Sequence, residues 1–338
     1  MTALERRQVS DTGIHVTAMG IGGASIGGIL EPVSEAKGRA TIRAGLDAGL
    51  RYVDTAPFYG YGASEHRVGS ELRLETPGSY VLSSKVGRLL APNGDPVDPD
   101  DPWKNPLPFR PVYDYSYDGV MRSYEDSLQR LGLAVYDIAY MHDIGAVTHG
   151  EAAHPALMKE AMEGGFRALQ ELKASGALKA IGLGVNEWQV CAQAMDHGDW
   201  DVFLLAGRYT LLEQEPLDAF LPECQRRNVS LVIGGPFNSG ILAGSDNWNY
   251  ASAPDDIRQK VRRMDAVCRS HNVPLPQAAL QFPLAHETVV SVIPGPRTPA
   301  ELIQNIDWMS APTPASLWSD LKAEALLHPD APTPNDQP

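Results

Sequence analysis

Four side chains of complementary chemistry stand at matching places in this chain. Asp54 closes the strand-like run Arg51-Tyr-Val-Asp54, and Tyr59 lies in the loop just after it. Lys85 closes Tyr80-Val-Leu-Ser-Ser-Lys85, and His142 closes Asp137-Ile-Ala-Tyr-Met-His142. A free phenol titrates near pH ~10, too high for a base at neutrality. An ammonium group beside it favours the phenolate, and a carboxylate paired with that ammonium keeps it charged and in place. An imidazole can bond the same substrate oxygen or relay its proton. The four together read as a general acid/base. They lack an electron acceptor, since no side chain takes up a hydride; a nicotinamide is the obvious supplement.

Each residue alone has a bland explanation. Asp54 suits a loop or helix cap, Lys85 a surface lysine with its head in water, His142 a structural histidine and Tyr59 a half-buried core ring. Their joint position after three successive strands is what singles them out.

The elements that must carry them alternate. A hairpin is expected over residues 6–18, turning at Asp11-Thr-Gly13. Strands are expected at 18–21, 51–54, 80–85, 136–141, 180–185, 202–206, 230–233 and 289–293, with a helical segment after each. Eight such units, with β-branched runs suited to burial on both faces, predict an α/β fold: a (β/α)8 TIM barrel. The hairpin would plug its bottom, and long loops would cover the C-terminal mouth, where this fold carries its chemistry. The Pro/Asp-rich segment 91–111 reads as one of those loops. In and just after it Trp103, Phe109, Tyr113 and Tyr115 are candidate walls of a substrate pocket, the alternative being a loop packed on its own aromatics. Residues 1–338 read as one barrel domain, with a tail from Pro329 expected to fray.

Bulk properties narrow the classes. The 338 residues carry a net charge of −14 without any basic block, which disfavours nucleic acid and anionic membranes. No apolar run approaches the roughly 20 residues of a membrane span. The start, Met1-Thr-Ala-Leu-Glu-Arg-Arg, lacks a signal-peptide core, so the cytoplasm is the expected compartment. Cys191, Cys224 and Cys268 are isolated and read as reduced structural thiols; no spacing suggests a metal site. Gly20-Ile-Gly-Gly-Ala-Ser25 imitates a dinucleotide fingerprint, but Ser25 stands at its third glycine. Asp54 also lies more than thirty residues beyond Gly20, where roughly twenty are required. These glycines more simply let backbone approach a ligand.

From about Gly20 to Asn305 the chain resembles the aldo-keto reductase superfamily. The motifs are Asp54-Thr-Ala-x-x-Tyr59-Gly, Ser83-Ser-Lys85-Val-Gly, Met141-His142, the run from Gly176 to Asn186, and Val292-Ile-Pro-Gly295 with Asn305. Gly87-Arg-Leu-Leu, Tyr113-Asp-Tyr-Ser, the run 206–214 and the run 235–242 resemble a narrower group. That group comprises the D-threo-aldose (L-fucose) dehydrogenases and pyridoxal 4-dehydrogenase. The resemblance implies Tyr59 as acid/base, Lys85 and Asp54 as its tuners, and His142 as the substrate-orienting group. It implies a cofactor site of Gly22, Asn186 for the carboxamide, Tyr209, and Pro236, Asn238, Gly240 and Leu242 over the pyrophosphate. Ser291, Gly295, Arg297, Glu301 and Asn305 would surround the adenosine half.

Three positions depart from the commoner pattern. Ala206 stands where the family usually has a carboxamide-binding glutamine, and Gly234 where an aromatic stacks on the nicotinamide; Arg208, Tyr209 or Phe237 could compensate. Glu301 stands where NADP-using members tend to carry arginine, so NAD is expected in preference to NADP, with Arg297 the residue that could reverse this. The activity implied is oxidation of a small-molecule cyclic hemiacetal to a lactone, either pyridoxal or an L-fucose-type aldose. Two alternatives are a carbonyl reductase running the other way and a slow nicotinamide-sensing partner protein, like the channel β subunits of this fold. Nothing in the sequence sets an oligomeric state.

Overall fold

The computed structural model describes residues 2–95, 98 and 100–334. Eight parallel strands form the barrel: β1 (Ile21–Gly22), β2 (Tyr52–Asp54), β3 (Val81–Val86), β4 (Ile138–His142), β5 (Ala180–Val185), β6 (Val202–Ala206), β7 (Ser230–Gly234) and β8 (Val289–Ile293). Neighbours in sequence are neighbours in the sheet, as right-handed βαβ units require. Closure falls on the residues before β1. Gly20 donates to the Val292 carbonyl (3.0 Å), and Val292 donates back to Ala18 (2.9 Å).

The strands are buried on both faces, and alternation sorts their side chains into two cores. Tyr52, Ile138, Tyr140, Ala180, Val202, Leu204 and Val232 point into the barrel. Val53, Leu82, Ala139, Met141, Ile181, Leu183, Phe203 and Ile233 point out to the helical layer. The expected hairpin, Arg6–Val9 with Ile14–Thr17, closes the N-terminal end. Its Val9, Ile14 and Val16 belong to the inner core. Arg7 donates to the Val289 carbonyl (3.0 Å) and Ser10 to the Asp201 carbonyl (2.6 Å), both at strand starts.

Helices follow the strands with local signals at their ends. Ser34 caps Glu35–Asp47 and Ser116 caps Tyr117–Leu131, each accepting from the backbone N–H three residues on. The helical segment expected after β4 is broken into Ala146–His149, His154–Glu160, a wide turn over Ala161–Gly165, and Phe166–Ala174. At that turn Gly164 and Gly165 lie close against the backbone of Tyr115–Tyr117, where any Cβ would collide. A further helix, Ala315–Ala323, follows the last expected one.

Two expectations need correction. The segment 91–111 is not wholly loop: Arg88–Pro92 and Phe109–Tyr113 pair as an antiparallel ribbon rising from the mouth. The tail does not fray at Pro329, because Ala331 and Thr333 are buried; residues 335–338 lie outside those described. Cys191, Cys224 and Cys268 are buried and carry no disulfide. Among the described residues no helix is long and apolar enough to cross a membrane.

Ile14→Ala should cost about 2–4 kcal/mol, because it empties a filled position in the plug. A urea midpoint lowered at unchanged slope checks this; a midpoint equal to wild type would show that the hairpin does not share the barrel's core.

Candidate active site

Alternation along the strands decides what reaches the mouth. The last inward positions of β2, β3 and β4 are Asp54, Lys85 and His142. Those of β5, β6 and β7 are Gly184, Ala206 and Gly234. One half of the rim is therefore ionisable and the other half nearly bare. Strand register pairs Asp54 with Ser83 and Lys85 with Tyr140. Ser83 donates to Asp54 Oδ1 (2.7 Å), and Lys85 Nζ donates to Asp54 Oδ2 (2.7 Å) and the Thr55 carbonyl (3.0 Å). Both members of the ion pair are at most 2% exposed. Gly184 makes room for the lysine stem, since a Cβ there would lie 3.2 Å from Lys85 Cε.

Lys85 Nζ sits 4.5 Å from the centre of the Tyr59 ring. The Tyr59 and His142 rings meet edge to face at 6.0 Å. The structure thus brings the four expected residues together. It alters one expectation about them. Burial and the nearby Asp54 charge push the Tyr59 phenol well above its ordinary range, with Arg88 pulling weakly the other way. The Lys85 ammonium donates to Asp54 and to the Thr55 carbonyl, and the phenol is the resting form of Tyr59. Burial likewise raises Asp54 and lowers Lys85, each opposed by its partner's charge. Burial, then the positive charges of Arg88 and Lys85, lower His142 well below the usual imidazole range. His142 is therefore neutral at pH 7, and its Nδ1 is buried without a hydrogen-bond partner.

Two residues at this site, Arg88 and Asp143, were not foreseen. Arg88 is 3% exposed, pairs with Asp143 and stacks 4.1 Å from the Phe58 ring centre. Asp143 Oδ2 lies 3.4 Å from His142 Nε2. Tyr115 donates to the His142 carbonyl (2.8 Å), which fixes the end of β4. Their signal was positional: Arg88 follows Lys85 by three residues, and Asp143 follows His142 directly.

Tyr59 and Asp54 open onto a cavity of about 610 Å³. Of the expected cofactor contacts, Gly22, Asn186, Pro236, Asn238, Gly240, Gly295, Arg297, Glu301 and Asn305 line it. Three others do not. Tyr209 is buried against Phe282 and His286, Leu242 is buried beneath its own loop, and Ser291 donates inward to the Thr17 carbonyl (2.8 Å). Phe237 lines the cavity, whereas Trp103, Phe109 and Tyr113 do not. Trp103 is buried against the Phe58 and Tyr59 rings, at 5.3 and 5.6 Å. Phe109 pairs with Pro92 at the far end of the ribbon. Tyr113 packs on His149, at 4.6 Å.

A dinucleotide suits this lining. Gly22, Gly23, Gly234, Gly235, Gly240 and Gly295 line the cavity without side chains, and at Gly22, Gly23 and Gly295 a Cβ would collide with the neighbouring protein. The loop over it turns through left-handed Asn238, Ser239 and Gly240. Asn238 donates to the Gly207 carbonyl (3.0 Å) and Glu213 (3.0 Å), while its buried Oδ1 has no partner in the protein. Among the described residues no cluster of His, Cys, Asp or Glu could hold a metal ion.

A sequence model described as the Aldo/keto reductase family matches residues 18–324. The chain is 47% identical to pyridoxal 4-dehydrogenase of Microbacterium luteolum, over 97% of this chain and 99% of that one. It is 38% identical to D-threo-aldose 1-dehydrogenase of a Pseudomonas species, over 94% and 96% of the two. An aldo-keto reductase structure from Bacillus halodurans superimposes with a TM-score of 0.72 at 22% identity, covering 99% of this chain and 100% of that one. That likeness speaks to the fold.

His142 gives a pH prediction. Its folded pKa lies below the unfolded value, so the unfolded chain takes up the proton first. Its contribution to stability is complete above pH ~6.5 and declines on acidification, by at most about 1.4 kcal/mol per pH unit. His142→Gln should flatten the slope of unfolding free energy against pH between about 6.5 and 4.5. Parallel slopes for variant and wild type would contradict a buried neutral imidazole.

Proposed function

Because the chain belongs to the aldo/keto reductase family, we propose that it oxidises a cyclic hemiacetal to a lactone with NAD as acceptor. The observation that carries this is the joint lining: Tyr59, backed by the buried Asp54–Lys85 pair, opens onto the same glycine-walled cavity as Asn186. Pyridoxal, which closes on its own hydroxymethyl group, and an aldopyranose both present a ring hemiacetal. The relatives at 47% and 38% identity are named as dehydrogenases of these two kinds, which favours oxidation over carbonyl reduction or slow cofactor sensing.

A bound nicotinamide supplies the one thing the side chains lack, a place for the hydride leaving the hemiacetal carbon. Asn186 is held with its amide toward the Ala206 carbonyl (3.1 Å) and would take the carboxamide. The 235–240 loop would cover the pyrophosphate. The hydroxyl proton of the substrate passes to the Tyr59 oxygen as the carbonyl of the lactone forms. Neutral His142 holds that same substrate oxygen without adding charge. The raised phenol of Tyr59 is the donating form in reduction, and its phenolate is the accepting form in oxidation.

Glu301 carries the preference for NAD. Its carboxylate accepts from the Arg297 backbone N–H (2.8 Å) and its own N–H donates to Thr298 Oγ1 (3.1 Å). This places a fixed negative charge at the cavity edge, where it repels a 2′-phosphate and can accept from ribose hydroxyls. The Arg297 guanidinium is engaged by the Ile29 carbonyl (3.4 Å) and by Glu31 (3.7 Å), which offsets its charge.

A spectrophotometric screen with pyridoxal, L-fucose, L-galactose and D-arabinose should give NADH with at least one of them. Oxidative kcat/KM should rise with pH through neutrality, and Tyr59→Phe should lower kcat by about 100- to 10,000-fold. No turnover of any hemiacetal, or an undiminished Tyr59→Phe enzyme, would remove the assignment. In the same assay kcat/KM should be higher with NAD than with NADP, and Glu301→Arg should raise use of NADP by about ten-fold or more. A wild-type preference for NADP would overturn the role given to Glu301.

A further inference from the structure

Residues Asn247–Trp248 and Ala251–Ser252 pair as a small antiparallel strap beside the cavity. The two residues at its turn, Asn249 and Tyr250, are both left-handed, with φ of +47° and +62°. A two-residue turn of this hand suits asparagine and glycine, and a bulky aromatic residue poorly. Tyrosine in such a conformation points to a task besides turning the chain. Tyr250 is half-exposed, yet its ring lines the cavity and its hydroxyl accepts from Asn186 Nδ2 (3.3 Å). It also lies close enough to Tyr59 for its charge state to affect that phenol.

The same end of the cavity is bounded by Ala206, Gly207, Gly234 and Gly235, none with more than a methyl group. Nearly bare backbone and an aromatic ring together suit a flat heteroaromatic guest. The strap is held largely by polar contacts: Trp248 Nε1 to Glu213 (2.9 Å), Arg208 to Asn249 (3.1 Å), and the Tyr250 N–H to Ser239 Oγ (2.9 Å). The last of these joins it to the loop that turns over the cavity, and the other two to the segment after β6.

We propose that Tyr250 is a binding residue for the nicotinamide ring, carried to the Tyr59 end of the cavity by the 247–252 strap. The proposal rests on the nicotinamide-dependent function given above and adds the residue that contacts the ring. The phenol ring covers the guest. Its hydroxyl occupies the Asn186 amide until a carboxamide takes its place.

The test compares NAD with ADP-ribose, which lacks the nicotinamide, by titration calorimetry on the whole chain. Tyr250→Asn keeps a residue suited to the turn and removes the ring. It should weaken NAD by about three- to ten-fold while ADP-ribose stays within about two-fold, and Tyr250→Phe should retain wild-type NAD affinity. Tyr250→Gly should repeat the asparagine result, so the outcome does not depend on one variant folding. Equal weakening of both ligands, or unchanged NAD affinity in the ring-less variants, overturns the role of Tyr250 and leaves the dehydrogenase reading intact. A wild-type chain that binds neither NAD nor NADP overturns both.

Discussion

The buried ion pair between Asp54 and Lys85 is the constraint around which the site is built. Both groups are almost wholly buried, Asp54 at the floor of the cavity, so each depends on the other and on Ser83 and the Thr55 carbonyl for hydrogen bonds that bulk water would have supplied. Removing one partner of such a pair typically costs about 3–5 kcal/mol, because it strands the other charge. The pair also demands a particular strand register. Slipping β2 by one residue against β3 would turn Asp54 into the helical layer and Val53 toward the mouth. The hydroxyls of Tyr52, Ser83 and Tyr140, linked at 3.1 Å, continue the polar contact down into the barrel.

Around that pair the rim divides into two kinds of surface. Asp54, Lys85 and His142 are the last inward positions of three adjacent strands, and Gly184, Ala206 and Gly234 those of the next three. Proton transfer needs ionisable groups in a dry setting, and a flat guest needs room. The barrel meets both by assigning them to opposite arcs of one ring of strand ends. Burial then sets the resting protonation states: a neutral imidazole and a protonated phenol.

The loops complete the enclosure with groups no strand could place. Arg88 rises on the ribbon after β3 and pairs with Asp143 just beyond β4, which clamps the histidine end of the site. The loop after β7 turns through three successive left-handed residues above the cavity, and the 247–252 strap lies beside it. Such segments are free of the register that governs strands, and so can be shaped to a ligand.

Much of this was legible in the sequence, because periodicity is local. The eight strands, the helical segments between them and the plugging hairpin follow from alternation and turn chemistry within a few residues of each feature. The tetrad could be found because each strand's end is marked by the side chain that projects from it. What only the tertiary structure decided depends on contacts between distant segments. The charge state of Tyr59 depends on its own burial and then on the nearby Asp54 charge, which no spacing reports. Tyr209, Leu242 and Ser291 belonged to the right segments but face the core, since packing against distant residues decides which side chains of a segment turn inward. Tyr250 reaches Asn186 across 64 positions of chain, and only the folded barrel brings that strap to its mouth.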